Sequence, residues 1–332
     1  MANPIYKIYV KTSNVIARSP VCKKLLNYVY PVIQPIMQKA NTFYISTSDF
    51  LFLQHKNGVF IRPDMIVRYM FLEQHYGKAD FSLDAVSIYE KMQKPRQKNN
   101  TAQFMTEKFY RLIESYEKIG YDSSSAVSVD KNLLIRDGSH RTAFALYFDL
   151  PAIPVNRTNN ALPTDYKNDL FDKAGFTDEE KQCIYNKLSQ LLDKHNQPIR
   201  IVLPCDAENC IDNICADLEL FGKIVGVQKH LCDSNQYNDL CKAMNKTKNI
   251  HAKAENPVYI VSLKLNSVAY APLDNPKKPV IQATNDIKKL LASKYISAAD
   301  AAFDKVAVPC NFMENSNIVK ILKSAENLYA KL

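Results

Sequence analysis

Apolar and polar positions alternate along this chain in two modes, one helical and one extended. From Pro63 to Tyr76 apolar residues fill nearly the whole helical circumference (Met65, Ile66, Val67, Tyr69, Met70, Phe71, Leu72), which predicts a buried helix rather than an amphipathic surface one. Thr101–Gly120 predicts a second helix, with Phe104, Phe109, Leu112 and Ile113 inward and Gly120 as its terminator. Ser125–Val129 alternates as a strand. Leu133, Leu134 and Ile135, too few for a helix and preceded by the turn residues Asp130-Lys131-Asn132, predict another. Ala143, Leu146, Tyr147 and Leu150 then return to helical spacing. Near the start, Ser19-Pro20 signals a helix that Pro31 and Pro35 would kink. With Lys23, Lys24 and Lys39 beside it, that segment either packs on the main domain or makes a peripheral membrane contact.

After Arg157 the composition shifts to Asn-Asn-Ala-Leu-Pro-Thr-Asp, a linker. Thr177 and Glu180 form a capping box that opens the next helix. Apolar runs at Ile199–Leu203, Ile224–Val227, Val258–Leu265 and Val306–Val308 then alternate with helical stretches at Asn209–Leu220, Thr284–Lys294 and Ser316–Lys331. The predicted class is α/β: an N-terminal helical extension (1–56), an α+β domain (57–157), a linker (158–176) and a second α/β domain (177–332) with a largely parallel sheet. That second half carries no phosphate loop, glycine fingerprint or nucleophile elbow. Asp206 and Glu208, at the end of its first strand, are its best-placed polar residues, although strand-end acids are mostly helix caps.

Length and composition bound these elements. A chain of 332 residues exceeds one ordinary core, and 46% hydrophobic with 23% charged residues describes a globular protein. No run of eighteen apolar residues and no leader-like segment is present, so a cytoplasmic location is the default expectation. The net charge of +9 favours acidic partners without choosing among them. Eight cysteines at irregular spacings predict free thiols, and the spacing of Cys205, Cys210 and Cys215 lacks the paired knuckles of a zinc site.

The chemistry concentrates at Asp137-Gly138-Ser139-His140-Arg141, the corner between a short strand and a helix. Glycine is rare here, seven in 332, and one falls at this corner. Unpaired amides at a helix start attract anions; Arg141 offers a bidentate grip and His140 a titratable donor. The alternative is an ordinary helix with Ser139 as its N-cap. A second candidate is Glu73, a carboxylate on the apolar helix beside Tyr69 and Ile66. Burial would raise its pKa and suit it as a general base, or it forms an ion pair with Arg68 or Arg62. His75 and Tyr76 mark a polar point at the end of that helix. Lys91, Lys94, Arg96 and Lys98 form a basic stretch able to reach over a phosphate, or a solvated loop.

Asp137–Arg141, with Leu133–Ile135 before it and Ala143–Leu146 and Ile153–Val155 after it, resembles the signature of the ParB/sulfiredoxin-like fold over roughly residues 57–157. In that superfamily a DGxHR-type turn holds nucleotide phosphates. Sulfiredoxins carry a cysteine where this chain has Ser139, and the chromosome-partitioning branch carries a different box and a helix-turn-helix; neither matches. The free-serine-kinase branch matches at Asp137, Gly138, His140 and Arg141, and Arg62–Met92 resembles ParB-like proteins of bacterial surface-polysaccharide gene clusters. The resemblance implies a nucleotide-dependent phosphotransferase acting on a small hydroxylated molecule or glycan precursor, with ATP or ADP (CTP as an alternative) and Mg²⁺. Gly138, Ser139, His140, Arg141 and Thr142 would hold the nucleotide, with His140 donating to the transferred group. Asp137 would orient the metal or acceptor, and Glu73 would take the hydroxyl proton. Two other classes remain: a nucleotide-driven switch without a phosphorylated product, and a DNA-binding or nuclease protein, for which no basic-aromatic groove is evident.

Overall fold

The computed structural model describes residues 42–56, 59–96, 101–122, 125–159, 161, 169–243, 255–275, 277–295 and 306–329. The expected N-terminal helix after Ser19 and residue Lys98 lie outside them. The class is α/β.

Strand β1 (Thr42–Ser46) leads directly into α1 (Thr47–Leu53), and a two-residue pair, β2 (His55–Lys56) and β3 (Val59–Phe60), precedes α2 (Pro63–His75). Next come α3 (Ala85–Gln93), α4 (Ala102–Ile119), β4 (Val127–Val129), β5 (Ile135–Asp137), α5 (Ser139–Tyr147) and β6 (Ala152–Arg157). The first sheet has the order β1-β6-β4-β5, with β4 parallel to β6 and the other pairs antiparallel. Helix α2 is buried from Pro63 to Glu73, as its all-round apolar pattern requires, and packs against α3 and α5. Each large apolar side chain so buried contributes about 2 kcal/mol, and α2 supplies Met65, Ile66, Met70, Phe71 and Leu72. Thr101 caps α4 through Phe104 N–H, and Gly120 ends it at φ 74°.

Two details of this half depart from the sequence pattern. Phe104 and Leu112 lie on the outer side of α4, 46% and 38% exposed, while Phe109 and Ile113 point inward. Strand β5 begins at Ile135 because the preceding turn runs longer: Asp130 accepts from the amides of Asn132 and Leu134, and Leu133 is left-handed.

The short helix α6 (Leu170–Lys173) and the long helix α7 (Asp178–His195) follow, α7 opened by the Thr177–Glu180 capping box. Ile184, Leu188 and Leu191 of α7 join the first core, as does Ile45 of β1. That core therefore extends on both sides of the 57–157 span expected for it.

The second sheet consists of β7 (Ile199–Pro204), β8 (Gly222–Asp233) and β9 (Glu255–Leu265) in the order β7-β9-β8, and both pairings are antiparallel. A largely parallel sheet was the expectation. Apolar runs reveal which residues face a core but carry no strand direction, and β8 continues through the polar stretch Gln228–Asp233, where no apolar run marks it. Helix α8 (Ile211–Leu218) leads into β8, α9 (Ser234–Ala243) follows it, and α10 (Gln282–Tyr295) and α11 (Phe312–Tyr329) complete the half. Ile199, Ile201 and Leu203 face a core with α8 and α10, while Val202 faces one with α9 and α11, the two-residue period of a sheet covered on both faces. Residues Val306–Val308 contribute an antiparallel bridge, Val202 to Ala307, rather than a full strand. Gly222 is required where β8 starts, because a Cβ there would stand 2.2 Å from the Lys264 carbonyl oxygen.

The halves meet at α1. Phe52 stacks on Phe312 at 5.7 Å, and buried Asp49 accepts from the amides of Phe312 and Met313 and from Tyr270 Oη. At the other end of α7, Ser48 Oγ and His195 Nδ1 lie 3.0 Å apart. Burial lowers the His195 pKa from 6.5 to about 4. The unfolded state therefore binds a proton that the native state refuses, and stability falls as pH drops from about 6.5 toward 4, by about 2 kcal/mol at pH 5. Raised carboxyls such as Asp49 act with the opposite sign. The test is therefore the difference between wild type and His195→Gln in urea titrations at pH 7 and pH 5. Wild type should lose ground to the variant in acid, and a difference that does not change with pH would refute the assignment.

Candidate functional site

Gly138 is the N-cap of α5, left-handed at φ 101° and supplying no side-chain cap. Any other residue there would be strained, and a Cβ would crowd Val127 at 3.2 Å. The helix therefore starts with its first amides uncapped from its own side chains, at the positive end of the dipole. Beside this start a cavity of about 380 Å³ opens between α5, the C-terminal half of α4, Gly120, Tyr121, Asp122 and Ser125. Asp137, Gly138, His140 and Arg141 line it together with Tyr116, Tyr121, Asp122, Leu112 and Ile119.

Each of the predicted corner residues takes a distinct direction. Asp137 is exposed. Arg141 donates through Nη1 to the carbonyls of Ser125 (2.7 Å) and Ala126 (2.5 Å), and its Nη2 is 3.8 Å from Asp137. One edge of the guanidinium thus fixes the entry to β4. His140 is wedged against the Phe109 ring at 4.6 Å, and its Nε2 lies 3.0 Å from Tyr89 Oη. Burial, reinforced by the Arg68 charge, holds its pKa well below 6.5. His140 is therefore a neutral hydrogen-bonding group at pH 7 rather than the titratable donor its residue type suggests. Thr142 is buried, its hydroxyl donating to the Gly138 carbonyl. Ser139 is not the N-cap; it is the first helical residue, and its hydroxyl turns inward to the guanidinium of Arg62.

That inward side holds a group the sequence reading did not anticipate. Asp64, fully buried, forms a two-pronged pair with Arg62 at 2.8 and 2.9 Å and also meets Arg68 at 3.0 Å and Arg96 at 3.3 Å. Arg62 further donates to the Ile135 carbonyl, tying α2 to β5. The signal was present as an aspartate followed four residues later by arginine on one helix.

Glu73 is not brought to the cavity. Its carboxylate pairs with Lys187 of α7 at 3.0 Å, and that ammonium also contacts Asp80. Burial raises the Glu73 pKa, as expected, while Lys187 and not Arg62 or Arg68 is its cation. Tyr76 donates to Glu117 at 3.0 Å, with His75 3.9 Å from the same carboxylate, so both sit against α4 and outside the cavity lining. In the basic stretch Lys91 pairs with Glu180 at 2.7 Å, and Arg96 belongs to the Asp64 group. Glu208 pairs with Lys229 across to β8.

Among the described residues no three His, Cys, Asp or Glu side chains are grouped to hold a metal ion. Mg²⁺ asks for less, commonly one or two carboxylates with phosphate oxygens and water, and Asp137 and Asp122 on the cavity wall fit that donor set. No helix among the described residues is long and apolar enough to cross a membrane.

The fold and this corner define an α/β protein with a cavity, polar on one side and apolar on the other, at a glycine-capped helix start. No protein-family model matches the chain, and no curated protein or solved structure matches it.

Proposed function

We propose that the cavity at the start of α5 binds a nucleotide and that the protein is a nucleotide-dependent phosphotransferase acting on a small hydroxylated molecule or glycan precursor. The observation that carries this reading is the convergence of uncapped helix amides, Arg141, His140 and Asp137 on one cavity whose other wall is aromatic and apolar. The amides after Gly138 and the free edge of Arg141 hold phosphate oxygens, and neutral His140 adds a hydrogen bond. Tyr116, Tyr121, Leu112 and Ile119 offer a surface for a base. Asp137 orients the acceptor hydroxyl or Mg²⁺, which when bound neutralises phosphate charge. In the transfer the acceptor oxygen bonds to the terminal phosphorus, the bridging P–O bond breaks toward the departing nucleotide, and the hydroxyl proton passes to a carboxylate. Positioning and charge neutralisation suffice for that chemistry.

Thermal-shift titration with ATP, ADP and CTP, each with and without Mg²⁺, tests the binding. Arg141→Ala should weaken nucleotide affinity about tenfold to a hundredfold, the value of one or two charge-assisted hydrogen bonds; unchanged affinity would remove Arg141 from the site. Mass spectrometry of acceptor mixtures tests transfer. The ion pair of Glu73 with Lys187 favours one other reading, a nucleotide-binding switch, since it engages the carboxylate expected to act as base. Nucleotide binding with no phosphorylated product would select that reading.

A further inference from the structure

The buried face of the α5 start has a charge imbalance that the outer cavity does not explain. Three guanidiniums, from Arg62, Arg68 and Arg96, share the single carboxylate of Asp64. Among the described residues one negative charge faces three positive ones, and the groups beside them are uncharged: the Tyr89 ring, 5.7 Å from the Arg68 guanidinium, and neutral His140. The geometry is as lopsided as the charge. Asp64 Oδ2 alone is approached by Arg62 at 2.9 Å, Arg68 at 3.0 Å, Arg96 at 3.3 Å and Ser139 Oγ at 3.4 Å, more donors than the lone pairs of one carboxylate oxygen can satisfy.

A second observation points to the missing partner. Arg68 is 4% exposed, and its Nε has no hydrogen-bond partner. An unpaired buried guanidinium edge is costly, and its burial together with the neighbouring arginines lowers even its pKa to about 10. Arg96 is the route in: it is the most exposed of the three, at 23%, and approaches Asp64 only through Nη1. Arg62 has no such reserve, since its donors are spent on Asp64, Ile135 and Ser139.

We infer that a tetrahedral oxyanion of the phosphate class binds on this inner side, between Arg68 and Arg96, at a site separate from the outer cavity. Two planar forks around an anion of two negative charges would balance the four charged side chains, and phosphate oxygens match guanidinium geometry. The site stands on its own observations and not on the nucleotide reading of the outer cavity. Its ligand is either free phosphate or the phosphoryl end of a monoester.

The experiment uses the full chain and three probes, inorganic phosphate, pyrophosphate and phenyl phosphate, in thermal-shift and calorimetric titrations at constant ionic strength with chloride as the control. Wild type should be stabilised by at least one probe. Arg96→Gln, at a partly exposed position and with its fold checked by circular dichroism, should weaken that probe about tenfold or more, Arg96→Lys should restore part of the loss, and the Arg96-dependent binding should persist in Arg141→Ala. Preference for inorganic phosphate over phenyl phosphate would identify a free anion as the ligand, and the reverse a monoester. No stabilisation of wild type by any probe, or full retention in Arg96→Gln, overturns the inner site. Loss in Arg141→Ala with retention in Arg96→Gln also overturns it, while leaving the outer cavity reading intact. Equal loss in both variants would merge the two sites and reject a separate one. Nucleotide titration of the same variants tells failure of the outer reading apart: it fails if no nucleotide binds, whatever the three probes do.

Discussion

Asp64→Asn should cost this protein about 3–5 kcal/mol of stability, the penalty for removing one partner of a buried ion pair and leaving its cations uncompensated. The substitution keeps the side-chain shape, so the loss isolates charge and acceptor capacity. Asp64 is fully buried, and Arg62 and Arg68 are 1% and 4% exposed, so water cannot replace the missing carboxylate. An asparagine amide would also turn a donor toward guanidinium donors that now point at oxygen. The effect reaches the candidate site through a short path. Arg62 ties α2 both to the Ile135 carbonyl and to the Ser139 hydroxyl, so loosening it frees the first residue of α5 and, with it, the amides that face the cavity. Urea denaturation measures the first consequence and nucleotide titration the second. A loss under about 1 kcal/mol would show that the arginines are balanced by something other than Asp64.

How much of this was legible in the sequence follows from the range of each interaction. Short-range rules held. The all-round apolar helix at Pro63, the helix from Thr101 with its Gly120 stop, and the reciprocal Thr177–Glu180 box all appear as expected, because each depends on residues within a turn or two. Gly138 at the corner also held, since only its backbone can take the left-handed turn there so cheaply. What failed to show was long-range or directional. Lys187, the partner of Glu73, lies 114 residues away, and nothing near Glu73 announces it. The antiparallel direction of β7 and β9 is invisible to alternation, which encodes faces only. Phe104 and Leu112 fit a helical stripe, yet inner and outer flanks of a stripe look alike until the neighbours are known. The Asp64 group is a different case: its aspartate and two of its arginines lie within seven residues of one another, but in a segment read for its apolar content.

Asp49→Asn should cost about 2–4 kcal/mol and release the start of α11, which makes it the sharpest probe of how the two halves are joined. Asp49 belongs to α1, yet its Oδ1 accepts from the Phe312 amide at 3.0 Å and from Tyr270 Oη at 2.6 Å, while Oδ2 accepts from the Met313 amide at 3.1 Å. It is a helix cap supplied by a residue more than 260 positions away. Burial raises its pKa, against the lowering effect of Ser46, Tyr270 and the two amides, and those donors are what hold a buried carboxylate in place. An asparagine keeps one acceptor and presents two N–H donors to a ring of donors, so at least one buried group is left unsatisfied, at about 1–3 kcal/mol each. Hydrogen exchange separates this local consequence from general loss of stability. The amides of Phe312 and Met313 should lose protection well beyond the change in β7 and β9, whose ladder does not involve Asp49. If instead all amides lost protection equally, the carboxylate would act on the whole fold and not as the cap of α11; if none did, the junction would be held by contacts that do not involve Asp49, the Phe52–Phe312 stack among them.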